Sequence, residues 1–173
     1  MTDDGWYKKH PLLLGKLSGN LLTIEISARI CIELRMGKTM EDIQNRLFGF
    51  QEGQMVDITP LSDPEGMTWT LDEYNKCVEQ KEPELMVARK EIVDLRDALA
   101  HGKAFGVAVN GVLHHHRLIK LGRRADKKAT QVPVTLRVEM TEQWFNEKAE
   151  FLTAEMGKIQ KAMDWDQKHL GDY

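Results

Sequence analysis

The chain has 173 residues, of which 42% are hydrophobic and 29% are charged. This composition excludes a disordered or fibrous protein. The length predicts one domain over residues 1–173. The formal net charge of −3 requires any nucleic-acid binding to come from a local basic patch. The N-terminal sequence does not resemble a signal peptide, and no apolar run reaches the roughly 18 residues of a membrane helix. Cys31 and Cys77 form no zinc or disulfide motif. We therefore expect a cytoplasmic protein without membrane contact.

The first predicted helix runs from about Leu12 to Met36 and ends at a glycine cap, Gly37. Two apolar stripes with helical spacing lie side by side on it. The first comprises Leu17, Leu21, Ile24, Ala28 and Cys31, and the second comprises Leu22, Ile26, Ile30 and Leu34. A helix that is apolar on two sides must be covered twice, so the second stripe predicts contact with another helix or with a second subunit.

Residues 38–68 are predicted to be an irregular insertion, because glycine and proline interrupt any period there. Within it we expect a short helix at Thr39–Phe48 and a short strand at Gln54–Ile58. A capping box at Thr70–Glu73 then predicts a helix that ends near residues 79–82. Pro83 is expected to open the next helix, which runs over 84–101 and ends at Gly102.

The pattern changes after Gly102. Residues 106–110 and 112–121 look extended, and residues 132–140 alternate as strands do, so we predict a β-hairpin over 112–140 with a polar tip at 122–131. Thr141 is expected to cap a long final helix. The predicted fold class is therefore mainly α, a bundle of about four main helices with a small β-hairpin before the last helix.

Three polar residues, Arg96, Asp97 and His101, crowd the end of an otherwise apolar helix in the sequence IVDLRDALAHG. Arginine matches phosphate oxygens in pairs, and the unperturbed pKa of histidine suits proton transfer near neutrality. Asp97 lies one turn before His101 and could orient its ring. A plain helix end offers another interpretation, since Arg and His also complement the helix dipole there.

The segment LRDALAHG resembles the signature of HEPN domains, helical domains named for higher eukaryotes and prokaryotes nucleotide-binding. Their motif is an arginine, a polar residue such as Asn, Asp or His, and a histidine a few residues later. Arg96, Asp97 and His101 match this motif residue by residue. The resemblance implies a homodimer in which the motifs of two chains meet in one cleft.

The same resemblance implies a metal-independent endoribonuclease without a cofactor, of the kind found in bacterial toxins and anti-phage systems. Arg96 would bind the scissile phosphate, His101 would act as general acid or base, and Asp97 would orient it. An antitoxin or regulatory protein is a further implied partner. Lys103 stands where some HEPN toxins carry a tyrosine that an antitoxin modifies, so that mode of control is not expected.

Positive charge is concentrated in the hairpin, where six residues are predicted to bind RNA phosphates: Arg117, Lys120, Arg123, Arg124, Lys127 and Lys128. A solvated surface loop is the alternative. His114 and His116 share one face of a strand and could form half of a metal site, but no cysteine or paired carboxylate lies nearby in the sequence, and no metal ligand is predicted.

Three functions remain open on the sequence alone. The first is the homodimeric ribonuclease. The second is a non-catalytic HEPN-like module that binds RNA, a nucleotide or a protein partner through Arg96 and His101. The third is a purely structural helical dimer that resembles the family by chance.

Overall fold

A computed structural model describes residues 5–123, 126–128 and 130–169, with side chains as far as Asp164. The described chain is mainly helical, with one small antiparallel sheet before the last helix, which confirms the coarse fold prediction. Its helices are α1 (Gly5–Arg35), α2 (Met40–Gly49), α3 (Met67–Glu79), α4 (Arg89–His101) and α5 (Glu142–His169), and its strands are β1 (Lys103–Val109), β2 (Val112–Leu121) and β3 (Val134–Met140). None of the described helices is long and apolar enough to cross a membrane.

The sheet has the order β1-β2-β3, and both pairs are antiparallel. The predicted hairpin over 112–140 is the β2–β3 pair, and β1 adds a third strand that the prediction had left unpaired. Asn110 and Gly111 join β1 to β2 with φ angles of 53° and 78°. Two consecutive positive φ angles are typical of the tight turn whose twist matches that of a β-hairpin.

The chain divides into two compact units. The first contains the described residues up to Leu21 together with Lys90–Leu152, and the second contains Leu22–Arg89 and the described residues from Thr153. The first unit buries Leu95, Leu118, Met140 and Phe145, and the second buries Ile24, Leu71, Tyr74 and Ile159. The single domain over 1–173 stays a prediction.

Helix α1 buries the first predicted stripe: all five of its residues are less than 5% exposed. The second stripe is buried only at its C-terminal end, at Leu34, whereas Leu22 is 68% exposed. Gly37, two residues after the helix ends at Arg35, has a φ of 83°, as a glycine in a capping position requires.

The predicted start of α1 was wrong, because the helix begins at Gly5 and continues through Pro11. A proline inside a helix removes one backbone hydrogen bond and crowds the preceding turn. Side-chain contacts within the first unit oppose this cost. The indole Nε1 of Trp6 donates to Nδ1 of His116 at 3.0 Å, and the rings of His10 and His116 stack with centroids 3.8 Å apart.

Within the second unit, the predicted helix at residues 39–48 is confirmed as α2, with Thr39 and Asp42 capping its first turn reciprocally. The predicted strand at Gln54–Ile58 is wrong: the segment is irregular, and Met55 is 94% exposed. No described strand of this unit is available to pair with it. The following loop is held instead by Arg29, whose guanidinium donates to the carbonyls of Pro60 (2.6 Å) and Asp63 (3.1 Å).

The starts of the next two helices were mispredicted, whereas their ends, at Glu79 and His101, are as predicted. Helix α3 begins at Met67, not at the proposed capping box, because the additional turn buries Met67 on the face that holds Thr70. Pro83 opens only a short 3-10 turn, Pro83–Leu85, and α4 starts at Arg89. The residues just before α4 have backbone groups that are hydrogen-bonded by side chains instead of within a helix. Asn75 binds the amide and carbonyl of Val87, and Glu155 accepts a hydrogen bond from the amide of Ala88.

The N-terminus of α5 is as predicted. The hydroxyl of Thr141 accepts a hydrogen bond from the amide of Trp144 at 3.2 Å. This contact satisfies one of the free amides of the first turn, as an N-cap should.

Candidate functional site

The three motif residues lie on the solvent-facing side of the last two turns of α4. The side chains of Arg96 and Asp97 are 45% and 37% exposed, and His101, the last helical residue, is exposed as well. The opposite side of the helix buries Ile92, Leu95 and Ala98. Amphipathic spacing therefore presents the motif to solvent because the apolar residues take the core side.

Gly102 fixes the end of this helix against the sheet. Its amide donates to the carbonyl of Ala98 at 2.8 Å. A Cβ at this position would collide with the Ala98 carbonyl oxygen and would lie 2.6 Å from Cδ1 of Leu118, a buried residue of β2. The close approach of helix and strand thus depends on the absence of a side chain at residue 102.

Asp97 is the centre of the ionic contacts at the motif. One of its carboxylate oxygens lies 3.1 Å from Nη1 of Arg96, and the other lies 3.8 Å from Nζ of Lys120. Within the described chain, no hydrogen bond joins Asp97 to His101. The carboxylate therefore neutralises two cations of the candidate site, and its predicted role in orienting His101 stays a prediction.

Arg96 and His101 do not meet within one chain. The helix is regular as far as His101, and five residues correspond to about 140° around its axis. Asp97 and His101 are only about 40° apart by the same geometry. A single chain can therefore present Asp97 and His101 to a ligand from the same side, but not Arg96 and His101.

The predicted RNA-binding residues divide between two faces of the sheet and its tip. Arg117 lies on the face away from the buried Leu118, and its Nε donates to Glu139 at 2.5 Å. Lys120 lies on the opposite face, beside Asp97. Arg123, Lys127 and Lys128 are exposed at the tip, and Arg124 lies outside the described residues.

Glu139 contacts three basic side chains. One carboxylate oxygen binds Arg117 and lies 4.0 Å from Nη2 of Arg137. The second oxygen lies 2.8 Å from Nε2 of His115. The hydrogen bond from Arg117, followed by that from His115, holds the pKa of the Glu139 carboxyl below its ordinary value. Arg117 is thus partly neutralised in the free protein, which sequence reasoning did not anticipate because Glu139 is 22 residues away.

His114 and His116 do not form the half of a metal site that their spacing allows. Nδ1 of His116 accepts from Trp6, and its ring stacks on His10. His114 is exposed. Among the residues that the structure describes, no group of three or more His, Cys, Asp or Glu side chains is placed to hold a metal ion.

A groove of about 490 Å³ lies beside the motif helix in the first unit, between α4, β3 and α5. Leu95, Leu136, Val138 and Trp144 supply its apolar lining, and Lys120 reaches into it from β2. The motif residues are absent from its lining. The exposed motif and this groove are therefore separate features of the unit.

Sequence reasoning missed three residues on the exposed face of the sheet, namely Lys103, Phe105 and Arg137. Strand pairing places them in rows with Ile119 and Arg117 of β2. The alternation of Lys103 and Phe105 was a signal available in the sequence. This alternation could not indicate that Arg137 lies on the same face, because Arg137 belongs to β3, which is distant in the sequence.

Comparison with protein-family models, with curated proteins and with solved structures finds no match to this chain. Its function must therefore be inferred from its own residues and geometry.

Proposed function

We propose that the chain is a HEPN-like, metal-independent endoribonuclease that acts as a homodimer of helical bundles, in a toxin or anti-phage setting. The observation that carries the proposal is the exposure of Arg96, Asp97 and His101 together at the end of α4. Side chains whose only role was packing in the protein interior would lie on the buried side of α4, with Ile92 and Leu95.

The chemistry follows from the residue types. A neutral His101 takes the proton of an RNA 2′-hydroxyl, and the 2′-oxygen then attacks the adjacent phosphorus. Arg96 binds the phosphate oxygens and stabilises the charge that develops on them. The bond to the 5′-oxygen breaks, and a protonated histidine returns a proton to this leaving group. The products are a 2′,3′-cyclic phosphate and a free 5′-hydroxyl.

Two chains are needed because Arg96 and His101 point in different directions from one regular helix. A two-fold axis near the ends of the two α4 helices would bring Arg96 of one protomer opposite His101 of its partner. Each site would then hold one Arg96 and one His101, and the histidine that takes the 2′-hydroxyl proton would return a proton to the leaving group. Asp97 would hold Arg96 in place and, by a rotamer change, orient the His101 of its own chain.

The test is cleavage of end-labelled single-stranded RNA in excess EDTA, with His101→Ala and Arg96→Ala compared with the unmodified protein. Loss of a general base lowers a rate by about 10²- to 10⁴-fold, and both variants should fall by at least that much. His114→Ala is the matched control, because His114 is an exposed histidine outside the motif. Equal cleavage by all four proteins would assign the activity to a contaminant and refute the proposal.

The alternative is a non-catalytic HEPN-like module that binds RNA, a nucleotide or a protein partner. One observation favours it: Asp97 contacts Arg96 and Lys120, and no hydrogen bond orients His101 within the described chain. This alternative predicts that Arg96→Ala weakens self-association in sedimentation experiments while RNA turnover stays at background in every variant.

A further inference from the structure

The sheet has one face that is exposed to solvent, which we call the outer face. Its side chains are those of Lys103, Phe105, Val107, His115, Arg117, Ile119, Arg137 and Glu139. The alternate positions point the other way, and two of them, Leu118 and Met140, are at most 2% exposed. This is the usual alternation of a sheet with one packed side and one solvated side.

Strand pairing arranges the outer face in rows across the sheet. Lys103, Ile119 and Arg137 form one row, and Phe105, Arg117 and Glu139 form the next. Since neighbouring strands lie about 4.8 Å apart, the Cα atoms of Lys103 and Arg137 are separated by about 10 Å. The Cα atom of Phe105 lies one row, or about 7 Å, from that of Lys103 on the same strand, and diagonally about 12 Å from that of Arg137.

Phe105 is an aromatic side chain at the surface, 53% exposed on an edge strand. Its cross-strand neighbour is Arg117. An exposed aromatic ring among cations offers a flat apolar surface to a nucleobase and charges to the adjoining phosphates. It offers less to a folded protein partner, which needs a larger apolar patch.

The charge of the outer face differs from that of the whole chain. Lys103, Arg117 and Arg137 supply three positive charges against the single carboxylate of Glu139, whereas the chain as a whole has a net charge of −3. The connection that follows β2 adds the exposed Arg123, Lys127 and Lys128. A polyanion would therefore be attracted to this side of the sheet.

The outer face also begins next to the motif. His101 is the last residue of α4 and Lys103 is the first of β1. Two peptide units separate their Cα atoms by at most about 7.6 Å. Asp97 contacts Lys120 on the opposite face of the sheet, so a chain of nucleotides bound along the outer face would reach the end of the motif helix by passing the start of the edge strand β1.

We propose that the outer face is a platform for unpaired RNA, on which one base stacks against Phe105 while Lys103, Arg117 and Arg137 bind the flanking phosphates. This inference rests on the proposed function and gives it a substrate class. The bases of duplex RNA are already stacked on each other, so they cannot cover Phe105. RNA binding would also exchange the contact of Arg117 with Glu139 for one with phosphate.

The experiment measures fluorescence anisotropy of a labelled 12-nucleotide oligouridine, with the same strand annealed to its complement as the duplex probe. All proteins carry His101→Ala, so that binding is measured without cleavage. Phe105→Ala should bind the single strand about 5- to 150-fold more weakly, the loss expected for one stacked base. Phe105→Trp should restore binding, and Phe48→Ala, an equally simple change at a ring 88% exposed in the second unit, should leave it unaltered.

The charges are tested in the same assay. Glu139→Gln removes the carboxylate that competes for Arg117, so binding should become about 1.5- to 5-fold tighter. Arg137→Ala should lower the slope of log affinity against log salt by about 0.7, the value for one phosphate contact on a single strand. A structural role for these side chains would give neither the gain nor the change of slope.

The outcomes separate this inference from the proposed nuclease. No measurable binding of the oligouridine, equal binding of the duplex, or equal affinity of the Phe105→Ala and Phe48→Ala proteins would overturn the platform. RNA cleavage by the unmodified protein could still occur in that case and would leave the nuclease standing. Binding that depends on Phe105, together with an absence of cleavage in EDTA, would support the platform and refute the nuclease.

Discussion

Replacing Gly102 by alanine should loosen the joint between the motif helix and the sheet. The added Cβ would collide with the Ala98 carbonyl oxygen and lie 2.6 Å from Leu118 Cδ1, and neither neighbour is the free end of an exposed side chain. Overpacking of this kind costs about 1–3 kcal/mol. For a chain of this size we expect the melting temperature to fall by about 2–12 °C.

Gly157→Ala is the matched control, since this glycine lies inside α5 and its Cβ would meet nothing within 4 Å. The same chemical change should there raise the stability by about 0.5–1 kcal/mol. Both variants would be unfolded by urea and by heat, with circular dichroism as the signal. If Gly102→Ala is as stable as the unmodified protein, the close approach of α4 and β2 is not as described and the placement of the motif fails with it.

Two further predictions concern polar groups that are buried or half-buried. Burial lowers the pKa of both His10 and His116 below 6.5. The unfolded chain therefore binds more protons than the folded chain below that pH, and the free energy of unfolding should fall as the pH drops from 7 to 5. In urea titrations His116→Asn should weaken this pH dependence, whereas His114→Asn, at an exposed histidine, should leave it unchanged. The hydroxyl of the fully buried Tyr74 donates to the Leu85 carbonyl at 3.0 Å. Tyr74→Phe leaves that oxygen unpaired and should lower the free energy of unfolding by about 1–3 kcal/mol. An unchanged urea midpoint would show that the bond contributes nothing.

The sequence predicted those parts of the fold that depend on local chemistry. The stripe from Leu17 to Cys31 is buried because helical spacing alone puts it on one side. Thr39 and Thr141 cap their helices because a hydroxyl before a helix satisfies free amides of the first turn. The strands of the hairpin likewise follow from alternation.

The mispredicted parts depend on partners that are distant in the sequence. Helix α1 tolerates Pro11 because Trp6 binds His116, 110 residues away. The late start of α4 depends on Asn75 and Glu155, which occupy the backbone of the preceding residues. No local pattern encodes such contacts, since tertiary packing overrides local preference.

The same distinction applies to the candidate site. Arg96, Asp97 and His101 could be selected from one short segment, and the structure places all three at the surface of one helix end. The sequence could not predict the contact of Asp97 with Lys120 or the rows of the outer face. Both depend on the register of strands that are separated in sequence.

The central claim is that Arg96 and His101 of two different protomers form one ribonuclease site. It is tested most directly by mixing the Arg96→Ala and His101→Ala proteins under conditions that exchange subunits, and by measuring cleavage of end-labelled RNA in EDTA. Each variant alone should be inactive, while the mixture should regain about a quarter of the unmodified activity, because half of the dimers then hold one intact site of two. A mixture that stays inactive beside an active unmodified protein would contradict the shared site, and an inactive unmodified protein would contradict the nuclease itself.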